Sequence, residues 1–566
     1  MRQLPCSSTG VLPPADLAEC GTPFERQRVT LTKQDYIQLK SDIGYWKAQH
    51  GQSVAREKAL HKELEKAQGE IRDLRQRLYG RKSEKAFARD DSRFVDGPSS
   101  RPRGQQKGGK GHGRTPRPAL PVEEEAMDLP GGTPCCAHCH QPYRPFSRTE
   151  DSEVIEVQVQ AYVRRTQRKM YRRGCRCEPS PGLITAPLPP RLLPRHPLGI
   201  SVWVEILLDK YLYSRPTHRL LQQYARLGLP LSQGTVTDGL KRLAPMFEPV
   251  LEAMHAKQMS ESLFHGDETR WRVYETVEGK NGRRWYLWIT LSESVYYYRV
   301  ASTRATTVPR EHFATLDESI EDAILVCDRY SAYKCLAKEM PALSLAFCWA
   351  HVRRDFIEAA RRFPTHKDWM FDWVEVIRAL YRLNQQRLGH WDKKQALAQQ
   401  FPAFITHHQT LIDALTGMEQ RRDGLLRQEA LPAPQRAVLT SLKNHWAGLT
   451  VFVARPEVPM DNNVAERGVR KGVLGRNAYH GSGSVWSADL MAGMLTVLQT
   501  LIQWDINPHH WMNAFLLACA EQGGRCPQDL TPFLPWAMSD ARKLELAAPR
   551  PQHRAPSHND PPADTR

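Results

Sequence analysis

Cysteine is sparse in this chain, 12 among 566 residues, which excludes a small secreted domain held by a dense disulfide framework. No uninterrupted run of about 18 apolar residues occurs, so on this reading a membrane span is excluded. Residues 1–25 lack a basic start followed by an apolar stretch, and no secretory leader is expected from them. Acidic residues are also short: 62 Asp and Glu face 79 Lys and Arg, leaving a net charge of +17. That surplus argues against a small-metabolite enzyme and for a polyanionic partner. The cysteines that do occur are clustered, with Cys135, Cys136, Cys139, Cys175 and Cys177 close together. In a reducing compartment such a cluster reads as metal binding. A length of 566 residues favours three or more domains.

Hydrophobic spacing divides the chain. Residues 1–30 show no period and read as a flexible leader. Within 31–80, Tyr36, Leu39, Ile43 and Trp46, then Leu60, Leu64, Ala67, Ile71, Leu74 and Leu78, recur in steps of three and four. That is a coiled-coil pattern and predicts a dimerisation helix. Residues 81–130 form a basic linker whose part 97–118 holds six Gly, four Pro, six Lys or Arg and no acid, a composition that stays disordered. Residues 131–190 make a small cysteine-bearing module with a strand expected around Val154, Ile155, Val157, Val159 and Tyr162. Residues 191–258 read as a helical DNA-binding region. Its succession 218–225, 227–231 and 232–243 has the outline of a helix-turn-helix, although ordinary packing helices fit it better.

From 259 to 351 the texture changes. Strands are expected at 263–271, 285–291 and 295–300, then a helix at 303–316, then strands at 323–327 and 343–348. Three strands, a helix and further strands is the order of a ribonuclease-H-like α/β core. A large helical insertion follows at 352–448, the final helical part of the core at 449–520, and a C-terminal tail at 521–566.

Two acids stand at expected strand ends: Asp267 in His-Gly-Asp-Glu-Thr-Arg-Trp and Asp328 in Leu-Val-Cys-Asp-Arg-Tyr. In a ribonuclease-H-like sheet those ends are neighbours. Two carboxylates so placed repel unless cations lie between them, and Mg²⁺ prefers such hard oxygen ligands. A third acid is available in Asp461-Asn-Asn-Val-Ala-Glu466, where Asn462, Glu466 and Arg470 share one helix face. Three carboxylates holding two metals suit phosphodiester chemistry.

These residues carry a family resemblance. Leu-Tyr-Gly-Arg-Lys-Ser-Glu-Lys at 78–85, Gly-Asp-Glu-Thr-Arg-Trp at 266–271, Cys-Trp-Ala-His-Val-Arg-Arg-Asp at 348–355 and Val-Pro-Met-Asp-Asn-Asn-Val-Ala-Glu-Arg at 458–467 resemble the insertion sequence 66 family of bacterial transposases. The resemblance implies a DDE-type core with Asp267, Asp328 and Glu466 as catalytic and Mg²⁺- or Mn²⁺-binding residues, the same three the strand argument nominates. The expected activity is binding of element ends, 3′-end cleavage and strand transfer into target DNA. The rivals are a nuclease of the same fold that cuts without joining, and a catalytically silent DNA-binding remnant. Double-stranded DNA is the implied partner, with a homodimer or higher assembly, companion proteins encoded by the same element, and a bacterial cytoplasmic, nucleoid-associated location. Arg467, Arg470, Lys471 and Arg476 would position phosphates.

The family also typically carries a four-cysteine structural zinc module. Cys136-x-x-Cys139 has the spacing that puts two thiolates on one tetrahedral ion. The second arm, Cys175-x-Cys177, is one residue shorter than usual, leaving Cys135, His138 or His140 as substitutes for the fourth ligand. Cys348-x-x-His351 is metal-like in spacing too, but fits better as a pair that orders the core beside the acids.

Overall fold

No proline interrupts Lys33–Tyr79, and this segment forms one helix of 47 residues, α1. Thr32 starts it, accepting the Asp35 N–H on its hydroxyl at 3.1 Å. Tyr36, Leu39, Ile43, Trp46, Leu60, Leu64, Ile71, Leu74 and Leu78 all remain exposed on it. The computed structural model describes residues 30–79, 134–144, 159–172, 183–280 and 282–547. The expected leader and basic linker therefore lie outside the described residues. Two compact units result, one containing α1 with Arg361–Pro364 and the other containing the remaining elements.

The cysteine-bearing module is less strand-rich than expected where it is described. Val159 and Tyr162 are exposed and belong to no strand, while 154–157 lie outside the described residues. Two short antiparallel strands, β1 (Met170–Arg172) and β2 (Leu183–Thr185), stand there instead.

Next come α2 (Ile200–Leu207), continued by a π-helical turn at Leu208–Leu212, then α3 (Thr217–Arg226) and α4 (Gln233–Met259). Gly228, at a φ of +78°, makes the turn between α3 and α4. Ser232 caps α4 by accepting the Thr235 N–H at 3.1 Å. These are packing helices: Trp203, Leu207, Leu240, Phe247 and Val250 are buried in the main core.

Five strands then form the central sheet: β3 (Leu263–Arg272), β4 (Arg284–Leu291), β5 (Tyr296–Ala301), β6 (Ala323–Cys327) and β7 (Leu343–Phe347). Their order is β5-β4-β3-β6-β7, with β3, β4 and β5 antiparallel and β6 and β7 parallel to β3. Along the chain the elements follow the order expected for a ribonuclease-H-like core, and pairing puts β3 at the centre of the sheet. The helix expected at 303–316 is shorter, α5 (Thr307–Phe313), and α6 (Ser331–Glu339) links β6 to β7.

Helices cover both faces. Phe264, Trp288, Leu325 and Tyr333 face a core with Val308 and Phe313 of α5 and Leu336 of α6. On the other side lie α13 (Asn463–Tyr479) and α14 (Val485–Gln503). Between β7 and α13 the chain is helical: α7 (Trp349–Arg362), α8 (Lys367–Leu388), α9 (Pro402–Leu426), α10 (Ala433–Asn444), α11 (Trp446–Leu449) and α12 (Val451–Ala454). This helical part packs Phe356, Trp373, Ile377 and Leu411 into one core with Ile324 and Val326 of β6 and Ala346 of β7.

By length and composition α14 could cross a membrane, yet its residues are mostly buried in the core. Its threonines explain the placement. Tyr298 and Tyr296 of the edge strand β5 donate their N–H groups to Thr496 Oγ1 at 2.9 Å and Thr500 Oγ1 at 3.1 Å. The helix thus seals an edge that would otherwise present unpaired donors.

The expected tail needs correction. Past α15 (Pro508–Glu521), which ends where the tail is expected to begin, α16 (Asp540–Leu546) is folded, and Phe533, Met538 and Leu546 are buried. Asn507 donates its N–H to Leu546 O at 2.7 Å, tying the chain end back to the core. Only residues beyond 547 lie outside the described part.

Candidate active site

Parallel pairing of β3 with β6 matches Leu263 to Ile324, Phe264 to Leu325 and His265 to Val326. Carried two residues further, that register sets Asp267 beside Asp328. Asp267 is not at a strand end, however: β3 runs on to Arg272, paired with β4 throughout. What ends at this level is β6, so the pocket opens beside β3 rather than beyond it. Each carboxylate takes a local main-chain donor, Glu268 N–H to Asp267 Oδ1 at 2.8 Å and Tyr330 N–H to Asp328 Oδ1 at 2.9 Å. Burial, with the Glu268 charge next, pushes Asp267 up to about 7; the charges of Asp328 and Glu466 act in the same direction. Asp267 therefore lies within electrostatic reach of both Asp328 and Glu466.

Glu466 stands in the first turn of α13, where the helix dipole favours an anion. Its position is fixed by Asn462, which is 1% exposed. Asn462 Nδ2 donates to Gly266 O at 2.8 Å, its Oδ1 meets His265 Nδ1 at 3.0 Å, and its own N–H reaches Cys348 Sγ at 3.2 Å. Asn462 O in turn accepts the Glu466 N–H at 3.1 Å. One side chain thus ties the strand carrying Asp267 to the helix carrying Glu466. The two Asn of the Asp-Asn-Asn string are therefore different in kind, a distinction the sequence signals only by pairing them. Asp461 is occupied elsewhere, accepting the Asn463 N–H at 3.1 Å in a local turn.

Close approach of α13 to the sheet depends on glycine. A Cβ at Gly468 would strike Ile289, and one at Gly472 would strike Leu287. Tyr298 donates its hydroxyl to Gly468 O at 3.0 Å, holding that contact.

Glu466 Oε1 is buried and makes no hydrogen bond. His351 Nε2 is 3.8 Å away and an Arg354 nitrogen 3.9 Å away. Cys348, His351 and Glu466 bring one ligand atom each within 4.8 Å of the others, the one such triad of metal-ligating residue types among the described residues. Burial lowers the His351 imidazole and pushes the Cys348 thiol up to about 11. The Cys-x-x-His pair, expected only to order the core beside the acids, stands with Glu466 as a candidate metal-ligating group of nitrogen, sulfur and oxygen donors. Three carboxylates, one with a buried unpartnered oxygen, fit Mg²⁺ or Mn²⁺.

The basic residues of α13 split. Arg467, Arg470 and Lys471 are exposed. Arg476 turns back to the sheet, donating to Thr269 Oγ1 at 3.1 Å and to Arg270 O. Its guanidinium is a clamp on β3 rather than a free phosphate contact. Of the zinc candidates, Cys136 and Cys139 sit on a tight turn closed by His140 N–H to Cys136 O at 2.9 Å. Main-chain donors of Cys139 and His138 lower the Cys136 thiol. Cys175 and Cys177 lie outside the described residues.

Residues 196–490, more than half of the chain, match the family described as "Transposase IS66 family". Among curated proteins, y4hP of Sinorhizobium fredii is 26% identical over 396 residues, covering 66% of this chain and 68% of that protein. Its companion y4jD from the same organism is 24% identical over 471 residues, covering 79% and 86%. Among solved structures, the Drosophila P element transposase strand transfer complex aligns at 11% identity and a TM-score of 0.31, covering 52% of this chain and 91% of that one. A pre-cleavage Mos1 transpososome aligns at 12% identity and a TM-score of 0.12, covering 26% and 60%.

Proposed function

The chain belongs to the IS66 transposase family, and we propose that it cleaves the 3′ ends of its DNA element and joins them to target DNA through Asp267, Asp328 and Glu466. The observation that carries this reading is the β3–β6 register, which sets Asp267 beside Asp328 while Asn462 ties Glu466 to the same strand. Mg²⁺ or Mn²⁺ held by these carboxylates would supply Lewis-acid stabilisation of the phosphodiester and activation of the attacking oxygen. The chain's own work is to hold three charges together against their repulsion, to keep them partly out of water, and to leave one oxygen of Glu466 without a hydrogen bond. Arg467, Arg470 and Lys471 line the solvent side of α13 and would hold phosphates next to that pocket.

Cleavage and joining use the same acids, so a nuclease that does not join is distinguished only by assay. The test uses DNA carrying the inverted repeats that flank this reading frame, with Mg²⁺ and a supercoiled target. Asp267→Asn, Asp328→Asn and Glu466→Gln should each abolish cleavage and joining while leaving end binding within a few-fold. Cleavage without any joined product would favour the nuclease, and loss of end binding in all three variants would make the acids structural.

Two further roles complete the proposal. The exposed stripe on α1 pairs with a second copy, so changing Leu64 and Leu74 to Glu should lower the mass measured by light scattering. Cys136 and Cys139 hold a structural Zn²⁺, to be checked by metal analysis of protein purified without chelator.

A further inference from the structure

Behind the candidate site, on the other face of β3, lies a polar group that the chemistry above does not use. The Glu268 side chain is 1% exposed. Its Oε1 accepts from Arg304 Nε at 2.8 Å and from a second guanidinium nitrogen, and its Oε2 accepts from the Tyr333 hydroxyl at 2.8 Å. Arg304 follows β5 and lays its guanidinium 3.7 Å from the centre of the Tyr330 ring. The Tyr330 hydroxyl donates back to Arg304 O at 2.9 Å. Tyr330 and Glu268 are also the residues whose main-chain N–H groups hold Asp328 and Asp267. A continuous circuit of contacts results, running from Asp267 through Glu268, Arg304 and Tyr330 to Asp328.

We propose that Glu268, Arg304 and Tyr330 are positioning residues that set the spacing of Asp267 and Asp328 for cation binding. The inference rests on the cation-site reading above. Its physical reason is asymmetry. Asp267 sits on a strand paired along its length, whereas Asp328 sits on the turn between β6 and α6, where mutual repulsion would drive it outward. Arg329 holds that turn from the helical side through Asp355 at 2.7 Å and Ser441 at 3.0 Å. Beyond the end of the β3–β6 pairing, the Glu268–Arg304–Tyr330 chain and the Tyr333 hydroxyl on Glu268 refer it to β3. Two guanidinium nitrogens share Glu268 Oε1 and the Tyr333 hydroxyl takes Oε2, so both oxygens of this buried carboxylate are held. Groups that orient metal ligands typically influence affinity by about 10–100-fold when removed.

Mn²⁺ titration followed by electron paramagnetic resonance, on the full chain, tests this. The series is the unsubstituted protein, Asp267→Asn, Glu268→Gln, Tyr330→Ala and the Glu268→Gln/Tyr330→Ala double variant. Glu268→Gln and Tyr330→Ala should each weaken Mn²⁺ binding about 10–100-fold. The double variant should lose little more than the worse single, because both break one circuit. Cleavage should recover as Mn²⁺ is raised, an effect on apparent metal affinity that a purely structural ion pair would not produce. Tyr330 is only half-buried, so Tyr330→Ala carries the test if Glu268→Gln does not fold. Unchanged Mn²⁺ affinity in folded Glu268→Gln or Tyr330→Ala protein, with binding still abolished by Asp267→Asn, overturns the circuit alone. An unsubstituted protein whose Mn²⁺ binding ignores Asp267 overturns the cation-site reading and this proposal with it.

Discussion

The side-chain amide of Asn462 donates to the carbonyl oxygen of Gly266 at 2.8 Å, spanning 196 positions of sequence to reach the residue before Asp267. Strand and helix are joined there by one buried amide, and the distance between two proposed metal ligands depends on it. A site assembled from distant segments needs such a tie, because neither segment by itself knows where the other is.

Replacing Asn462 by Ala would leave Gly266 O and His265 Nδ1 without that partner inside the protein. Unpaired buried groups of this kind cost roughly 1–3 kcal/mol each. Urea denaturation should therefore show a loss of about 2–4 kcal/mol, and cleavage should fall far more than end binding does. Unaltered stability would mean that water replaces the amide.

Asp267 gives the metal-free protein a pH dependence of definite sign. Its carboxyl titrates near 4 when unfolded and at about 7 when folded, so the folded state holds the proton more tightly. The associated stability is complete below about pH 4 and is lost as pH rises through about 7. Asp267→Asn has no such group to ionise. In the presence of chelator, the stability of Asp267→Asn relative to the unsubstituted protein should increase from pH 4 to 8, by up to roughly 4 kcal/mol. A difference that stays flat across this range would show that Asp267 is not perturbed.

Gly472 faces Leu287 where α13 lies on the sheet, with no room for a Cβ. Gly472→Val should cost about 1–3 kcal/mol by overpacking. Lifting α13 also moves Glu466 away from Asp267, so cleavage should drop even at temperatures where the variant stays folded. Circular dichroism melting alongside the cleavage assay separates the two effects.

Arg476 and Arg470 should behave as opposites although they lie on one helix. Arg476→Ala removes a clamp on Thr269 and Arg270 and should lower the melting temperature with little effect on the salt dependence of DNA binding. Arg470→Ala, at an exposed position, should leave melting unchanged and weaken DNA binding, reducing its salt slope by about one. Filter binding at several salt concentrations measures both.

The sequence by itself determined the order of elements here, because local spacing dictates it. A short run such as Ala323–Cys327, apolar on both faces, suits an interior strand, and 33–79 has no proline to stop a helix. It also singled out Asp267, Asp328 and Glu466, through charges standing next to otherwise apolar strands and in an acid-amide string. Where those acids meet is a matter of register, and register is set by pairing between strands some sixty residues apart, Leu263 with Ile324. The part of Asn462 was hidden for the same reason: an amide reads identically in a cap, in solvent or in a tie across the core. Glu268 was legible as a strand residue on the face opposite Asp267, but its burial against Arg304, Tyr330 and Tyr333 was not. Arg476 reads like Arg470 along the chain and differs only because α13, brought close by Gly468 and Gly472, turns one toward β3 and leaves the other in water. Composition and periodicity fix which groups a segment offers; which of them meet is decided by packing of faces that no local window contains.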